Sequence, residues 1–207
     1  MSSVVQYEYV FLGGGKGGKT LAMELAQAGH RVALIERGMI GGSCINVACI
    51  PTKTLIQNAR IAHISKDAKP DMARVKRNVR AVVDGMVDMN MKAFVASGFD
   101  LLMGTGHFVG PRRIHIEMND GSAREIEGEH VFINTGTTAA IPDVPGLRAA
   151  APLTHVEALQ VNVTPEHLIV IGGGYIGLEM AQAFRRLGAP VTLIQKRRVS
   201  RCARMKT

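Results

Sequence analysis

The sequence contains no tryptophan, and aromatic residues make up only 4% of its 207 residues. Proteins that bind single-stranded nucleic acid use stacking aromatics beside a basic groove, so this scarcity argues against such a function. The net charge of +8 does not change that conclusion, because much of the basic excess lies in the last twelve residues. That segment contains no acidic residue and six basic ones: Lys196, Arg197, Arg198, Arg201, Arg204 and Lys206. We expect no nucleic-acid partner.

Long apolar runs are also missing. No stretch of about 18 uncharged apolar residues occurs, which argues against a transmembrane helix and a membrane partner. The N-terminal residues lack the basic region, apolar core and cleavage site of a secretory signal peptide. With 46% hydrophobic and 20% charged residues, the composition is that of an ordinary globular protein. We therefore expect a cytoplasmic protein.

Cysteine is scarce, and two of the three cysteines, Cys44 and Cys49, stand close together. A zinc site would need a second ligand pair, and no Cys or His pair has a suitable spacing, so we predict no metal. Structural thiols and a redox disulfide both remain open. A disulfide would require the backbone to leave regular helix, because five helical residues rise about 7.5 Å whereas bridged Cα atoms lie within about 7 Å.

Glycine, by contrast, is abundant, and part of it forms an internal repeat. Residues 6–37 and 167–196 each contain an apolar run, a glycine turn, an amphipathic helical pattern, a further glycine and a second apolar run. This order predicts a βαβ unit in each copy. Nine positions of the first copy are identical in the second: Gly13, Gly14, Gly15, Gly18, Ala22, Gly29, Val32, Leu34 and Ile35.

The first glycine turn matches the pattern G-x-G-x-x-G of dinucleotide-binding proteins. Its glycines are Gly13, Gly15 and Gly18, which would let a pyrophosphate approach the N-terminus of a helix. Glu36 ends the second predicted strand, where a carboxylate can accept hydrogen bonds from both hydroxyls of a ribose. The pattern predicts an adenosine and pyrophosphate site.

The second glycine turn consists of Gly172, Gly174 and Gly177, and Gln195 takes the position that corresponds to Glu36. The missing carboxylate and the basic residues 196–198 favour a cofactor with a 2′-phosphate, and hence NADP over NAD. A basic tail with no role in cofactor binding would explain the same residues, so NAD remains an alternative cofactor.

The first turn also satisfies the P-loop pattern G-x-x-x-x-G-K-[ST]. In a P-loop nucleotidase Lys19 would bind phosphate and Thr20 would bind Mg²⁺. Such an enzyme needs a later strand that ends in Asp to hold the metal, and the sequence offers no convincing one. The P-loop would also leave the second copy unexplained, so it is the least favoured alternative.

Three segments lie between the copies. Residues 43–64 predict a loop and helix that carry the cysteine pair, and residues 72–97 predict a second helix. Short alternating runs at about 100–135 predict an antiparallel β-meander. The predicted fold class is therefore α/β: a Rossmann-like domain with a parallel sheet and a β-meander, followed by the first βαβ unit of a second Rossmann-like domain.

The string GGSCINVACIPTK at residues 41–53 closely resembles the active-site signature of class I FAD-dependent pyridine nucleotide-disulfide oxidoreductases. That family includes mercuric reductase, dihydrolipoamide dehydrogenase and glutathione reductase, and the details are most similar to the mercuric reductase-like branch. Residues 130–147 resemble the family's second flavin contact, and residues 168–188 its nicotinamide fingerprint. The resemblance implies an FAD-binding domain at 1–150, the start of an NAD(P)-binding domain at 151–198, and an irregular basic tail at 199–207.

The resemblance also implies roles for individual residues. Cys44 would be the thiol that meets substrate, and Cys49 would contact the flavin and accept electrons. Lys53 would support negative charge on reduced flavin and pair with Glu179. Electrons would run from NADPH through FAD to the cysteine pair and then to a disulfide or Hg(II). Four further positions would contact the cofactor: Gly42, Ser43, Thr135 and Gly136.

The family's C-terminal half has no counterpart in this sequence. That half contains a dimerisation domain with the acid–base histidine, and none of the seven histidines here has such a context. His155 is near Glu157 but is expected at the surface. Full-length relatives are expected to be homodimers, whereas we expect this chain to be truncated and inactive alone. A non-catalytic FAD- or dinucleotide-binding remnant is the alternative.

Overall fold

The computed structural model describes residues 4–65 and 71–196. Along these residues the elements are β1 (Val5–Leu12), α1 (Lys16–Gln27), β2 (Val32–Glu36), α2 (Ser43–Asn46), α3 (Cys49–Ile64), α4 (Met72–Ser97), β3 (Asp100–Phe108), β4 (Arg113–Met118), β5 (Ala123–Ile133), α5 (His155–Ala158), β6 (Leu168–Ile171), α6 (Tyr175–Arg186) and β7 (Val191–Ile194).

These elements form two compact units. The first unit comprises the described residues of 1–46 and 83–138, and the second those of 47–82 and 139–207. The predicted boundary at residue 150 stays a prediction.

The first unit is built on a five-stranded sheet that closes on itself. Strand β1 pairs in parallel with β2 and β5, and β3 pairs in parallel with β2. Strand β4 is antiparallel to both β3 and β5, which forms the predicted meander. The parallel strands form one layer and the meander forms the other. Strands β3 and β5 belong to both layers, because each pairs with a parallel neighbour along one part of its length and with β4 along the other. The predicted mixed α/β class is confirmed.

Strand β5 runs through a glycine. Ala123–Ile133 is a single strand that contains Gly128. A Cβ atom on Gly128 would lie 2.7 Å from Cγ2 of Val10. Glycine is therefore needed where β5 passes from β4 to β1, because a side chain would force the paired strands apart.

Two apolar clusters fill the first unit, one on each face of the parallel strands. Because neighbouring strand residues point to opposite faces, Val10 belongs to one cluster and Phe11 to the other. The cluster of Val10 includes residues of the meander such as Ile114 and Ile126. The cluster of Phe11 includes Ala22 of α1. All five residues of β2 are buried, as expected for a strand covered on both faces.

The second unit contains β6, α6 and β7 in βαβ order, and the two strands are parallel. Helix α6 packs on α3 through a cluster that includes Leu55, Ala59 and Phe184. The strands alternate between half-buried and exposed residues. Three large apolar side chains are consequently exposed on this small sheet: Ile169, Ile171 and Ile194.

Across residues 4–65 and 71–196, no helix is long and apolar enough to cross a bilayer.

Tyr7 gives the first unit a pH-dependent contribution to stability. Its hydroxyl donates to Oδ2 of Asp100 at 2.6 Å. Burial, followed by the bond to Asp100, raises the pKa of Tyr7 to about 12. Because the neutral phenol is the stabilised form, this contribution is complete below the unfolded-state pKa of about 10. It is lost as the pH rises towards 12.

We expect Tyr7→Phe to lower the free energy of unfolding at neutral pH by about 1 kcal/mol, because one hydrogen bond to a carboxylate is lost. In a titration followed by tyrosinate absorbance, the transition near pH 12 should disappear. If it persists in the variant, another tyrosine is responsible and the assignment to Tyr7 is wrong.

Candidate functional site

The first glycine turn lies between β1 and α1, and its residues Gly13, Gly14 and Gly15 have no side chains. Gly13 has a φ of +108°, and a Cβ atom there would overlap the carbonyl oxygen of Asn134. A Cβ atom on Gly42 would lie 2.5 Å from Cα of Gly15. The loop that leads to Ser43 and Cys44 therefore packs directly on the turn, backbone against backbone. Only glycine permits this approach.

Asn134, which sequence reasoning missed, holds the turn from the end of β5. Its backbone N–H donates to the carbonyl of Leu12 at 2.9 Å, and Nδ2 donates to the carbonyl of Gly13 at 2.9 Å. The same Nδ2 atom would lie 2.7 Å from a Cβ atom on Gly18. The third glycine of the pattern thus makes room for this amide. The predicted contacts Thr135 and Gly136 follow immediately and are exposed.

Glu36 is buried, and its carboxylate is bound by backbone N–H groups. Oε2 accepts from Gly14 at 2.9 Å, while Oε1 accepts from Gly38 at 2.8 Å and from Met39 at 2.9 Å. A carboxylate offers about four acceptor positions, so one remains, on Oε2. One ribose hydroxyl fits this geometry directly. A second would require Gly38 or Met39 to release Oε1.

Helix α1 begins beside this carboxylate without a side-chain cap. Its N-cap is Gly15, and its first turn contains no acidic residue. Lys16, at the first helical position, is exposed. The positive end of the helix dipole and the backbone N–H groups of the first turn favour a bound anion. This arrangement suits a pyrophosphate.

The two side chains that define the P-loop pattern do not face the turn together. Lys19 is buried and donates to Oδ1 of Asn90 on α4. Thr20 is exposed, and its hydroxyl donates to the carbonyl of Lys16 at 3.0 Å. A P-loop requires the lysine on phosphate and the hydroxyl on Mg²⁺. The structure gives this alternative no support.

The cysteines lie on two consecutive helices, with a break between the helices. Cys44 is in α2 and is half-buried, while Cys49 begins α3 and is exposed. Ala48, between the helices, has φ −126° and ψ −103°, which is not helical. The expected departure from regular helix is thus observed. That the two Cα atoms lie within disulfide range stays a prediction.

Lys53 and Glu179 form an ion pair within the second unit. Lys53 stands one helical turn after Cys49 on α3, and its Nζ lies 2.5 Å from Oε1 of Glu179 on α6. The side chains are 62% and 31% exposed, respectively. The pairing implied by the family signature is therefore present, although its role with a flavin stays a proposal.

The second glycine turn repeats the first in conformation and differs in charge. Gly172 has a φ of +110°, close to the +108° of Gly13. A Cβ atom on Gly177 would overlap the carbonyl oxygen of Gly172. Gly173 donates its N–H to Oε1 of Gln195 at 2.6 Å, as Gly14 donates to Glu36. The acceptor is retained, but the negative charge is not. Arg197, Arg198 and the whole basic tail predicted at 199–207 lie outside the described residues.

Glu157 caps the short helix α5. Its carboxylate accepts from the backbone N–H of Thr154 at 2.7 Å and from the hydroxyl of the same residue, which completes a capping box. The hydrogen bond from the Thr154 side chain is the main cause that lowers the pKa of Glu157. In the described ranges, no group of three or more His, Cys, Asp or Glu side chains is placed to hold a metal ion.

Comparison with known proteins identifies clear relatives. A family model for the pyridine nucleotide-disulphide oxidoreductases matches residues 7–205. RclA of Escherichia coli K12 is 37% identical over 194 residues, which are 92% of this chain and 42% of that protein. A mercuric reductase of Shigella flexneri is 34% identical, over 89% of this chain and 35% of its own length.

Solved structures of E. coli RclA have the same fold. The Cu(II) complex of this protein, named an HOCl-induced flavoprotein disulfide reductase, superposes with a TM-score of 0.81 at 36% identity and covers 92% of this chain and 42% of that one. The RclA structure named without copper superposes with a TM-score of 0.78. The chain thus spans about two fifths of the length of the relatives it matches.

The ion pair between Lys53 and Glu179 should contribute little to stability, because Lys53 is mostly exposed and the charges are screened by solvent. In a double-mutant cycle with Lys53→Met and Glu179→Gln, we expect a coupling free energy of unfolding below about 1 kcal/mol. A coupling above about 2 kcal/mol would instead make the pair a structural element of the α3–α6 packing.

Proposed function

The chain belongs to the pyridine nucleotide-disulphide oxidoreductase family, and we propose that it binds FAD and passes electrons from NAD(P)H to a disulfide or Hg(II) substrate through Cys44 and Cys49. One observation carries the proposal. The loop before Cys44 lies so close to the glycine turn that a Cβ atom on Gly42 would overlap Cα of Gly15. A dinucleotide whose pyrophosphate lies at this turn would therefore lie next to the cysteine loop.

The residues of the first unit fit the flavin of this family, whose disulfide reductases use FAD and NAD(P)H. Gly13, Gly15 and Gly18 leave the space that a pyrophosphate needs, and the uncapped start of α1 supplies N–H donors and the dipole. Glu36 offers its remaining acceptor position on Oε2 to a ribose hydroxyl. When bound, FAD supplies the hydride chemistry. The protein supplies the position of the cofactor and the thiols.

The cysteine pair would serve as the two-electron store. Reduction of a Cys44–Cys49 disulfide to two thiols takes up two electrons and two protons, and transfer to a substrate disulfide returns the pair to its bridged form. Cys49 begins α3, and Lys53 follows it by one turn. We assign Lys53 the role of placing positive charge near the reduced cofactor, with Glu179 fixing its ammonium group.

The second unit is proposed to begin the nicotinamide site, with Gly172, Gly174 and Gly177 at the phosphates. Gln195 holds the turn by accepting from Gly173. Because its amide is neutral, a cofactor with a 2′-phosphate would meet no carboxylate at this position. NADP is therefore preferred over NAD.

The relatives support a proposal for the substrate class. Mercuric reductases match this chain at 31–34% identity, and an RclA structure is a Cu(II) complex. Both metal ions are soft or borderline acceptors that bind thiolates. We therefore propose that a pair of thiols at Cys44 and Cys49 acts on a thiophilic metal ion or on a disulfide, with Hg(II) and Cu(II) as the first metal ions to test.

Glu36→Ala should weaken FAD binding about tenfold to a hundredfold, because a buried charged acceptor is lost. Flavin fluorescence titration of the folded variant measures this. Gln195→Ala, the matched change in the second turn, should leave FAD affinity unchanged. If Glu36→Ala retains full FAD affinity while the protein binds ATP through Lys19, the site is a P-loop and the flavin proposal is wrong.

Mild oxidation of the chain should remove two titratable thiols and form one disulfide between Cys44 and Cys49. Thiol counting and peptide mapping under non-reducing conditions measure this. Cys44→Ser or Cys49→Ser should abolish the disulfide, whereas Cys202→Ser, the control among the three cysteines, should not. Disulfides that involve Cys202 in place of this pair would contradict the assignment. Intact thiols under all oxidants would leave only structural cysteines.

A further inference from the structure

Lys19 is a buried, positively charged residue to which the proposed reaction assigns no role. It lies in the first turn and a half of α1, and its side chain is only 6% exposed. Lysine is almost never fully buried unless its ammonium group is paired. The burial of Lys19 therefore calls for a partner of opposite charge, at least in some state of the protein.

The ammonium group of Lys19 is held by a neutral amide. Nζ donates to Oδ1 of Asn90, and Nδ2 of Asn90 donates to the carbonyl of Met86 at 2.7 Å. The second bond fixes the orientation of the amide, so that its oxygen faces Lys19. A neutral acceptor positions the cation but does not neutralise it.

Asn90 also contacts the loop that leads to Cys44. It is buried, and its Cγ would lie 3.2 Å from a Cβ atom on Gly41. Lys19, Asn90 and the cysteine loop are thus neighbours within the first unit, and the glycine allows α4 to lie close to that loop.

The contacts through Asn90 and Gly41 place the loop before Cys44 close to Lys19, and the charge of Cys44 acts on the lysine in the favourable direction. Burial is the main cause that lowers the pKa of Lys19, and the neighbouring Lys16 lowers it further, whereas Cys44 raises it. Of the elements around it, α4 contributes the neutral Asn90 and α2 contributes Cys44. The carboxylate of Glu36, at the end of β2, is bound to Gly14, Gly38 and Met39.

We propose that Lys19 is the counter-ion of the Cys44 thiolate and that Asn90 positions it for this role. The inference deepens the proposed function, on which it rests, by assigning a positioning residue to the thiol that meets substrate. In the step that it serves, the Cys44 thiolate attacks one sulfur of a substrate disulfide, a new S–S bond forms, and the other substrate sulfur leaves as a thiolate. Lys19 keeps its proton throughout, and its charge favours the thiolate over the thiol before the attack.

The test measures Cys44 alone. In a Cys49→Ser, Cys202→Ser background, Cys44 is the sole cysteine of the chain, and its alkylation by iodoacetamide is followed as a function of pH. Lys19→Gln can still hydrogen-bond to Asn90 but carries no charge. We expect it to move the midpoint of alkylation upwards by about one pH unit, which makes alkylation below the midpoint about tenfold slower.

Two variants separate charge from packing. Lys19→Arg keeps the charge and should restore the original midpoint. Lys16→Gln, which removes an exposed charge from the same turn, should shift the midpoint by much less than Lys19→Gln does. If Lys19→Gln does not fold, Asn90→Asp serves instead, because a carboxylate beside Lys19 should neutralise it and raise the midpoint with the lysine in place.

Equal midpoints in Lys19→Gln and Lys16→Gln, or an unchanged midpoint in a folded Asn90→Asp, would overturn the inference. The assay uses neither FAD nor NADPH, so its outcome is independent of the proposed function. A shifted midpoint in a chain that neither binds FAD nor forms the disulfide would leave the inference standing and refute the function. An unchanged midpoint in a chain that binds FAD and forms the disulfide would refute only the role of Lys19.

Discussion

One buried carboxylate organises the first unit. Glu36 receives N–H groups from the glycine turn and from the chain that leaves β2, so a single side chain sets the distance between β1, β2 and the loop towards the cysteines. A buried carboxylate is tolerated only if its oxygens are satisfied, and here backbone donors satisfy most of them. The position of α1 and its dipole, the approach of Gly42 to Gly15 and the placement of Cys44 all follow from a turn that is held in this way.

The second copy shows which part of this arrangement is structural. Gln195 accepts from Gly173 as Glu36 does from Gly14, and the turn glycines adopt matching φ values. The end of each second strand is fixed in the same manner, since Gly13 donates to Ile35 and Gly172 to Ile194. An oxygen acceptor is therefore required by the turn itself. The charge on that acceptor is free to vary, and we attribute its variation to the cofactor.

Much of this arrangement was predictable, because it depends on residues with strong local preferences. The glycine spacing predicted both turns, and the apolar periodicity predicted α4 at 72–97. The pairing of Lys53 with Glu179 came from the family signature and not from any local pattern. Asn134 escaped prediction because its role depends on the meeting of β5 with the first turn, which a linear pattern does not show. The burial of Lys19 escaped it for the same reason: the P-loop pattern suggested phosphate, whereas Asn90, far along the chain, takes up its ammonium group.

The closed sheet of the first unit has a consequence for the behaviour of the chain in solution. In the described part of that unit every strand has a hydrogen-bonded neighbour on each side over part of its length, so none of these strands has an edge that is open from end to end. Strands β6 and β7 differ, because within residues 4–65 and 71–196 each is paired on one side only. Their open edges lie beside the exposed isoleucines of the small sheet. The unit whose described strands all have neighbours on both sides is the one that holds Cys44 and the first glycine turn.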